Sequence, residues 1–210
     1  MSFIFHELQD IFFERLKYFL LTEDFTIDSM NAIDLKDLKI NNWRILFPEG
    51  LEQMALSFDK WQSKKTMDEM VVLSEKLENP QSKTQKISIA LEIKIMKILP
   101  KNVFLKQQAF FALFKNHFIA LESASYFCDI LWRSLDDQSL DFSFYTKRIS
   151  LFFIYVVIVF FYCGDRSENY IDTKEFIKDS LNNFSSLAIL KEKIKTKINI
   201  QDIPILRYIF

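Results

Sequence analysis

Only two glycines and four prolines punctuate 210 residues, and this scarcity of breakers constrains the fold more than any other feature. Sheets of ordinary size need many tight turns, and tight turns consume Gly, Pro and Asn-Gly pairs. A chain this poor in them is built from a few long helices with short connections, so the expected class is all-α. Half of the residues are apolar and mean hydropathy is +0.03, which supports one sizeable core and excludes a disordered composition. The length suits one domain with at most a small appendage.

Apolar residues recur at helical spacing from Phe3 to Leu21, with charges between them. Two short helical stretches fill Thr26 to Phe47, broken around Lys39 to Asn42. Phe47-Pro48-Glu49-Gly50 is a clear break, with Pro48 suited to a helix start. A long amphipathic helix is predicted over Leu51 to Leu77, ended by Asn79-Pro80-Gln81-Ser82. Another runs from Ser82 to Leu99 and stops at Pro100. Val103 to Leu135 reads as two helices that turn near Asn116, and Asp136 to Asp141 as a polar loop. Phe142 to Cys163 reads as one very apolar helix closed by Gly164 in a left-handed cap. Tyr170 to Phe184, opened by Asp172-Thr173, and Ser185 to Ile200 make the last two helices. The organisation is a small helical region at 1–47, a helical body at 48–184, and an amphipathic helix with a tail at 185–210.

Ile149 to Cys163 is fifteen residues without a charge. As a helix that run reaches about 22 Å, against a hydrocarbon core of about 30 Å. Lys147-Arg148 and Asp165-Arg166 bracket it, so its length favours a buried core or interface helix over a membrane span.

Catalysis needs titratable groups that converge, and few are on offer. The two histidines, His6 and His117, stand alone among apolar residues, and no His-x-x-x-His, Glu-x-x-His or Cys-x-x-Cys pair occurs. Glycine at 50 and 164 alone excludes a phosphate-cradling loop, and no nucleophile elbow is visible, although a Ser-His-Asp arrangement stays open. The pattern favours a binding protein over an enzyme, with no cofactor and no metal. The cluster Asp136 to Asp141 lacks the central Gly and twelfth-position Glu of a calcium loop. It reads as an interhelical loop in which Ser139 or Asp141 caps the next helix, or as a partner surface; the two roles are compatible.

Net charge of −1 gives no general attraction to nucleic acid. Residues 1–47 hold five basic against eight acidic residues, a net of −3, the wrong sign for a DNA-binding region. Cys128 and Cys163 lie far apart in apolar stretches and read as buried free thiols in a reducing compartment. The first thirteen residues include His6, Glu7 and Asp10, unlike a basic signal peptide or an acid-poor import segment, so a cytosolic, bacterial setting is expected.

Ile130-Leu131-Trp132-Arg133, the run Asp137-Gln138-Ser139-Leu140-Asp141-Phe142-Ser143-Phe144-Tyr145-Thr146-Lys147-Arg148, then Gly164-Asp165-Arg166-Ser167 and Asp172-Thr173 before Phe176 resemble, in order and spacing, the coenzyme Q biosynthesis protein nine family. Leu46-Phe47-Pro48-Glu49-Gly50 is similar to another of its segments. The resemblance spans about residues 46 to 185 and is strongest from 129 to 176. Two departures stand out: Phe144 where the family often has Trp, and Asp136 where it usually has Gly.

The resemblance implies a bundle similar to tetracycline-repressor-type regulators, with a degenerate helix-turn-helix-like region before a ligand domain that dimerises. It also implies a non-catalytic protein that binds an isoprenoid quinone precursor or phospholipid and delivers quinone substrate to a di-iron hydroxylase. Asp137, Asp141, Phe144, Tyr145 and Arg148 are the candidate partner-binding residues. Core packing is the competing reading of each ring, a solvated charge that of Arg148, and Trp132 reads as core. Ile87, Leu91, Ile95, Phe110, Phe114 and Phe118 are candidates to line a lipid pocket, with plain core as the alternative. In the last helix Leu187, Leu190, Ile194 and Ile198 alternate with Lys191 and Lys195, which suits a helix lying on an anionic membrane or one packed on its own domain. The expectation is a cytoplasmic homodimer associated peripherally with the inner membrane, without nucleic acid. A repressor-type regulator with an apolar effector is the second reading.

Overall fold

The apolar repeat at the amino terminus becomes helix α1 (Ser2–Phe19), whose Phe12 and Leu16 sink wholly into the core. The computed structural model describes residues 2–76, 81–139 and 141–195; the side chains of 2–4, 141 and 184–195 lie outside that description. Among the described residues the chain forms eight α-helices and no strand, so the fold is all-α.

Helix α2 (Ile27–Asn31) starts where the Thr26 hydroxyl accepts the Ser29 amide at 3.2 Å. Two 3-10 turns follow, Lys36–Leu38 and Trp43–Ile45, separated by Lys39 in the left-handed region. The break predicted at Lys39 to Asn42 is therefore present. The Trp43 indole donates to Asn31 at 2.9 Å and ties this irregular stretch together. Pro48 does not open a helix. It sits inside a turn closed by the Gly50 amide on the Phe47 carbonyl at 3.0 Å, and Gly50, with φ +94°, precedes α3 (Leu51–Glu75).

Helix α4 (Lys83–Glu92) carries a full capping box: Ser82 Oγ accepts from the Gln85 amide at 3.2 Å, and Gln85 Oε1 from the Ser82 amide at 2.8 Å. It continues into a π-helical turn, Ile93–Lys97. Pro100 then separates it from α5 (Lys101–Phe111), and a 3-10 turn, Phe114–Asn116, leads into α6 (His117–Ser134). The turn comes where it was predicted, because buried Asn116 donates its side-chain amide to the Phe110 carbonyl at 2.7 Å.

Helix α7 (Asp141–Gly164) is continuous, as its composition predicts. Gly164 is its last residue and is not left-handed; the cap expected there is absent because the helix simply runs on to Asp165, whose amide bonds the Phe161 and Tyr162 carbonyls. Helix α8 (Ile171–Lys195) runs through the boundary predicted at Phe184-Ser185, which holds no breaker; 196–200, the end of the second predicted helix, lie outside the described residues.

Helix α3 packs on α6, α6 on α7, α7 on α8, and α8 returns against α4. One stripe of α7 (Leu151, Tyr155, Ile158, Tyr162) lies in this core, while Phe153, Val157 and Phe160 on the other side are 62%, 52% and 74% exposed. The helix outruns the charge-free segment 149–163: Phe142–Gly164 is long and apolar enough to cross a membrane by length and composition, and 22% of its apolar window is buried. A helix apolar on all sides thus buries one face and leaves the other open.

Candidate functional site

The junction of α6 and α7 is held by interlocked charges. Asp137, in the loop, is the hub: Lys147 Nζ donates to its Oδ1 at 2.6 Å, Ser139 Oγ to its Oδ2 at 2.5 Å, and Arg148 Nη1 lies 3.5 Å from Oδ2. Its carboxylate is only 2% exposed. Burial alone would raise its pKa, but the Lys147 and Ser139 hydrogen bonds outweigh that and hold it at about 2. Ser139 thus spends its hydroxyl on Asp137. On α6, Asp129 takes Arg133 on one oxygen and Arg148 on the other, each at 2.7 Å. Trp132 is buried and donates to the Lys147 carbonyl at 3.2 Å, with the Lys147 ammonium 5.3 Å over its ring.

These bonds fix the first turns of α7 and with them an aromatic pair. The Arg148 guanidinium stacks 3.4 Å from the centre of the Phe144 ring and donates to the Phe144 carbonyl at 3.1 Å. Phe144 meets Tyr145 edge-on at 5.2 Å; Phe144 is half-buried and Tyr145 is 43% exposed. Asp137, Phe144, Tyr145 and Arg148 are therefore gathered at one place. The Asp141 side chain lies outside the described residues. Arg148 pairs with Asp137, but its shorter contact is to Asp129, which sequence reasoning missed. An acid one turn before Trp132-Arg133 was the available signal.

The lipid-pocket candidates divide. Ile87, Leu91, Ile95 and Phe110 are all in the hydrophobic core, whereas Phe114 and Phe118 stand at the surface. The predicted turn at Asn116 resets the helical phase between Phe110 and the pair Phe114 and Phe118. Four of the six thus share the core and two do not. The membrane candidates Leu187, Leu190, Lys191, Ile194, Lys195 and Ile198 have side chains outside the described residues. A surface groove of about 520 Å³ does exist elsewhere, between α1 and the α2 region, bordered by Tyr18, Ile33 and the Arg15–Asp37 ion pair.

Two further polar clusters went unpredicted. In the core, Lys94 on the π-helical turn donates to Asp59 Oδ1 at 2.9 Å and to the Asp59 carbonyl at 3.1 Å. Ser123 donates to Asp59 Oδ2 at 2.5 Å, and Gln107 bridges towards Gln62. Burial pushes the Lys94 ammonium pKa down against the opposing pull of Asp59. Between α7 and α8, Asp165 accepts from the amides and hydroxyls of both Ser167 and Thr173; those hydrogen bonds overcome its burial and hold it at about 2. Among the described residues no three His, Cys, Asp or Glu side chains are grouped to hold a metal.

Fold and site together define an all-helical bundle protein with a charge-braced aromatic face at one helix junction. Residues 119–188, which contain that junction and the Asp165 cluster, match the COQ9 family model. That match covers a third of the chain's length and agrees with the resemblance read from the sequence. The match supports involvement in ubiquinone biosynthesis. No curated protein matches the chain.

Proposed function

We propose that the chain is a non-catalytic, lipid-binding accessory protein that presents polyprenyl-quinone intermediates to the di-iron demethoxyubiquinone hydroxylase. The observation that carries this reading is the braced face at the α6–α7 junction, which lies inside the family-matched segment. Partner surfaces use aromatic anchors rimmed by charge, and they bind best when the anchors are already held in place. Asp129, Asp137, Lys147 and Arg148 do that holding, and Tyr145 stands accessible at the rim. The guest is an isoprenoid quinone precursor or a phospholipid, whose tail would be retained by apolar burial at about 25 cal/mol per Å². The protein works as a homodimer through the open face of α7, in a tetracycline-repressor-like arrangement, at the cytoplasmic side of a bacterial inner membrane.

Two measurements test the reading. Organic extraction of purified protein followed by mass spectrometry is expected to return polyprenyl quinone or phospholipid. Tyr145→Ala is expected to weaken hydroxylase capture at least tenfold with an unchanged helical circular-dichroism spectrum, because an anchor's truncation costs about 2 kcal/mol. Preparations free of lipid that also ignore the hydroxylase would remove the proposal.

A further inference from the structure

We propose that the corner between α5 and α6 inserts into an anionic lipid bilayer. Leu113, Phe114, Phe118 and Leu121 are 48%, 91%, 73% and 49% exposed there. The backbone beneath them is firmly tied: Asn116 bonds the Phe110 carbonyl through its side chain and the Leu113 carbonyl through its amide, and His117 Nδ1 lies 2.5 Å from the Phe114 carbonyl. Apolar tips on a tied turn lose little conformational freedom when they enter another medium.

Area and charge decide what that medium is. Aromatic side chains bury about 150–250 Å² each, so this corner offers a few hundred Å², well under the roughly 1,000 Å² of a specific protein interface. A bilayer sets no such minimum and closes around a convex wedge. The charge pattern agrees, because between Glu92 and Glu122 the chain carries no acid and four lysines outside the core, Lys97, Lys101, Lys106 and Lys115. Lys115, next to Phe114, has a side chain 65% exposed. The acids bonded at the corner are already held by lysines, Glu52 by Lys115 at 3.0 Å and Glu122 by Lys60 at 2.6 Å. Exposed pairs of this kind are weak and mobile, so Lys115 can share its ammonium between Glu52 and a phosphate headgroup. The outer face of α5 prolongs the patch at helical spacing through Leu105 and Ala109. This inference deepens the lipid-handling reading and rests on it for its purpose, by naming the face through which the body would meet its lipid source; it is separate from the lysine-rich stretch at 185–200.

The test uses the full chain and vesicles of phosphatidylcholine with or without phosphatidylglycerol. Trp43, Trp61 and Trp132 are all buried, which gives a quiet baseline. Phe114→Trp is expected to shift its emission to the blue on anionic vesicles and to be quenched by lipids brominated in the acyl chain, while the wild type is not. Phe114→Ser with Phe118→Ser is expected to lower vesicle partitioning roughly tenfold or more. Vesicle-bound Phe114→Trp without quenching, no vesicle binding at all, or conversion of an oligomer to monomers by the double substitution would each overturn the inference. Lipid found by extraction but no quenching leaves the lipid-handling reading standing without this contact. Quenching without extractable lipid does the reverse.

Discussion

Burying an ammonium and a carboxylate together strips both of solvent, and Lys94 and Asp59 recover that loss from each other, from Ser123 and Gln107, and from the Phe127 ring 5.8 Å from the ammonium. Removing one partner strands the other, so Lys94→Met is expected to lower unfolding free energy by about 3–5 kcal/mol in urea titrations. Adding Asp59→Leu should restore part of that loss; a double variant as weak as the sum of the two single ones would break the argument. None of this was legible in the sequence. Lys94 reads there as one more charge on an amphipathic helix, and nothing local points to a partner 35 positions away. Asp137 and Asp165 give a pH signature. Both are held at about 2 against an ordinary 3.8, so the folded form binds fewer protons than the unfolded. Their stabilisation is complete above the unfolded value and lost as pH falls through the folded one. Melting temperature should therefore drop between about pH 4 and pH 2. Asp165→Asn should melt lower at neutral pH and show a shallower slope in that window.

Helices were the legible part of the chain, because a 3.6-residue apolar period and a few breakers suffice to place them. Their ends were less so. Gly50 and Gly164 look alike in sequence as breakers, yet Gly50 alone adopts a positive φ. A residue bearing a Cβ in place of Gly50 would have to adopt φ +94°, ψ −156°, a region essentially confined to glycine, at a cost of about 1–3 kcal/mol, whereas at Gly164 a Cβ meets nothing within 4 Å. Chemical denaturation should accordingly find Gly50→Ala destabilised by that amount. Gly164→Ala should be neutral or stabilised by up to about 1 kcal/mol. Equal losses at both sites would mean that the helix end is not as described. The charged brace at the α6–α7 junction was half legible: motif order marked Asp137, Phe144, Tyr145 and Arg148, while Asp129 needed the antiparallel pairing of the two helices to bring it to Arg148.

At the scale of the whole molecule the open face of α7 remains to be covered. Phe153, Val157 and Phe160 follow helical spacing on the side opposite the core stripe, and exposed apolar strips of this kind mark interfaces. A second copy is the economical cover, since two-fold pairing of α7 with its symmetry mate buries the same strip twice. Phe153 to Phe160 span about 11 Å of a helix about 35 Å long, so this strip reaches the 1,200–2,000 Å² of a stable interface only together with the residues that flank it along α7. Phe153→Asp with Phe160→Asp should then turn a dimer into a folded monomer in sedimentation-velocity runs. The Tyr145 face should keep its hydroxylase contact, weakened only by the loss of bivalency. A wild-type chain that sediments as a monomer without detergent would leave the α7 strip to lipid, and pairing through this helix would be excluded.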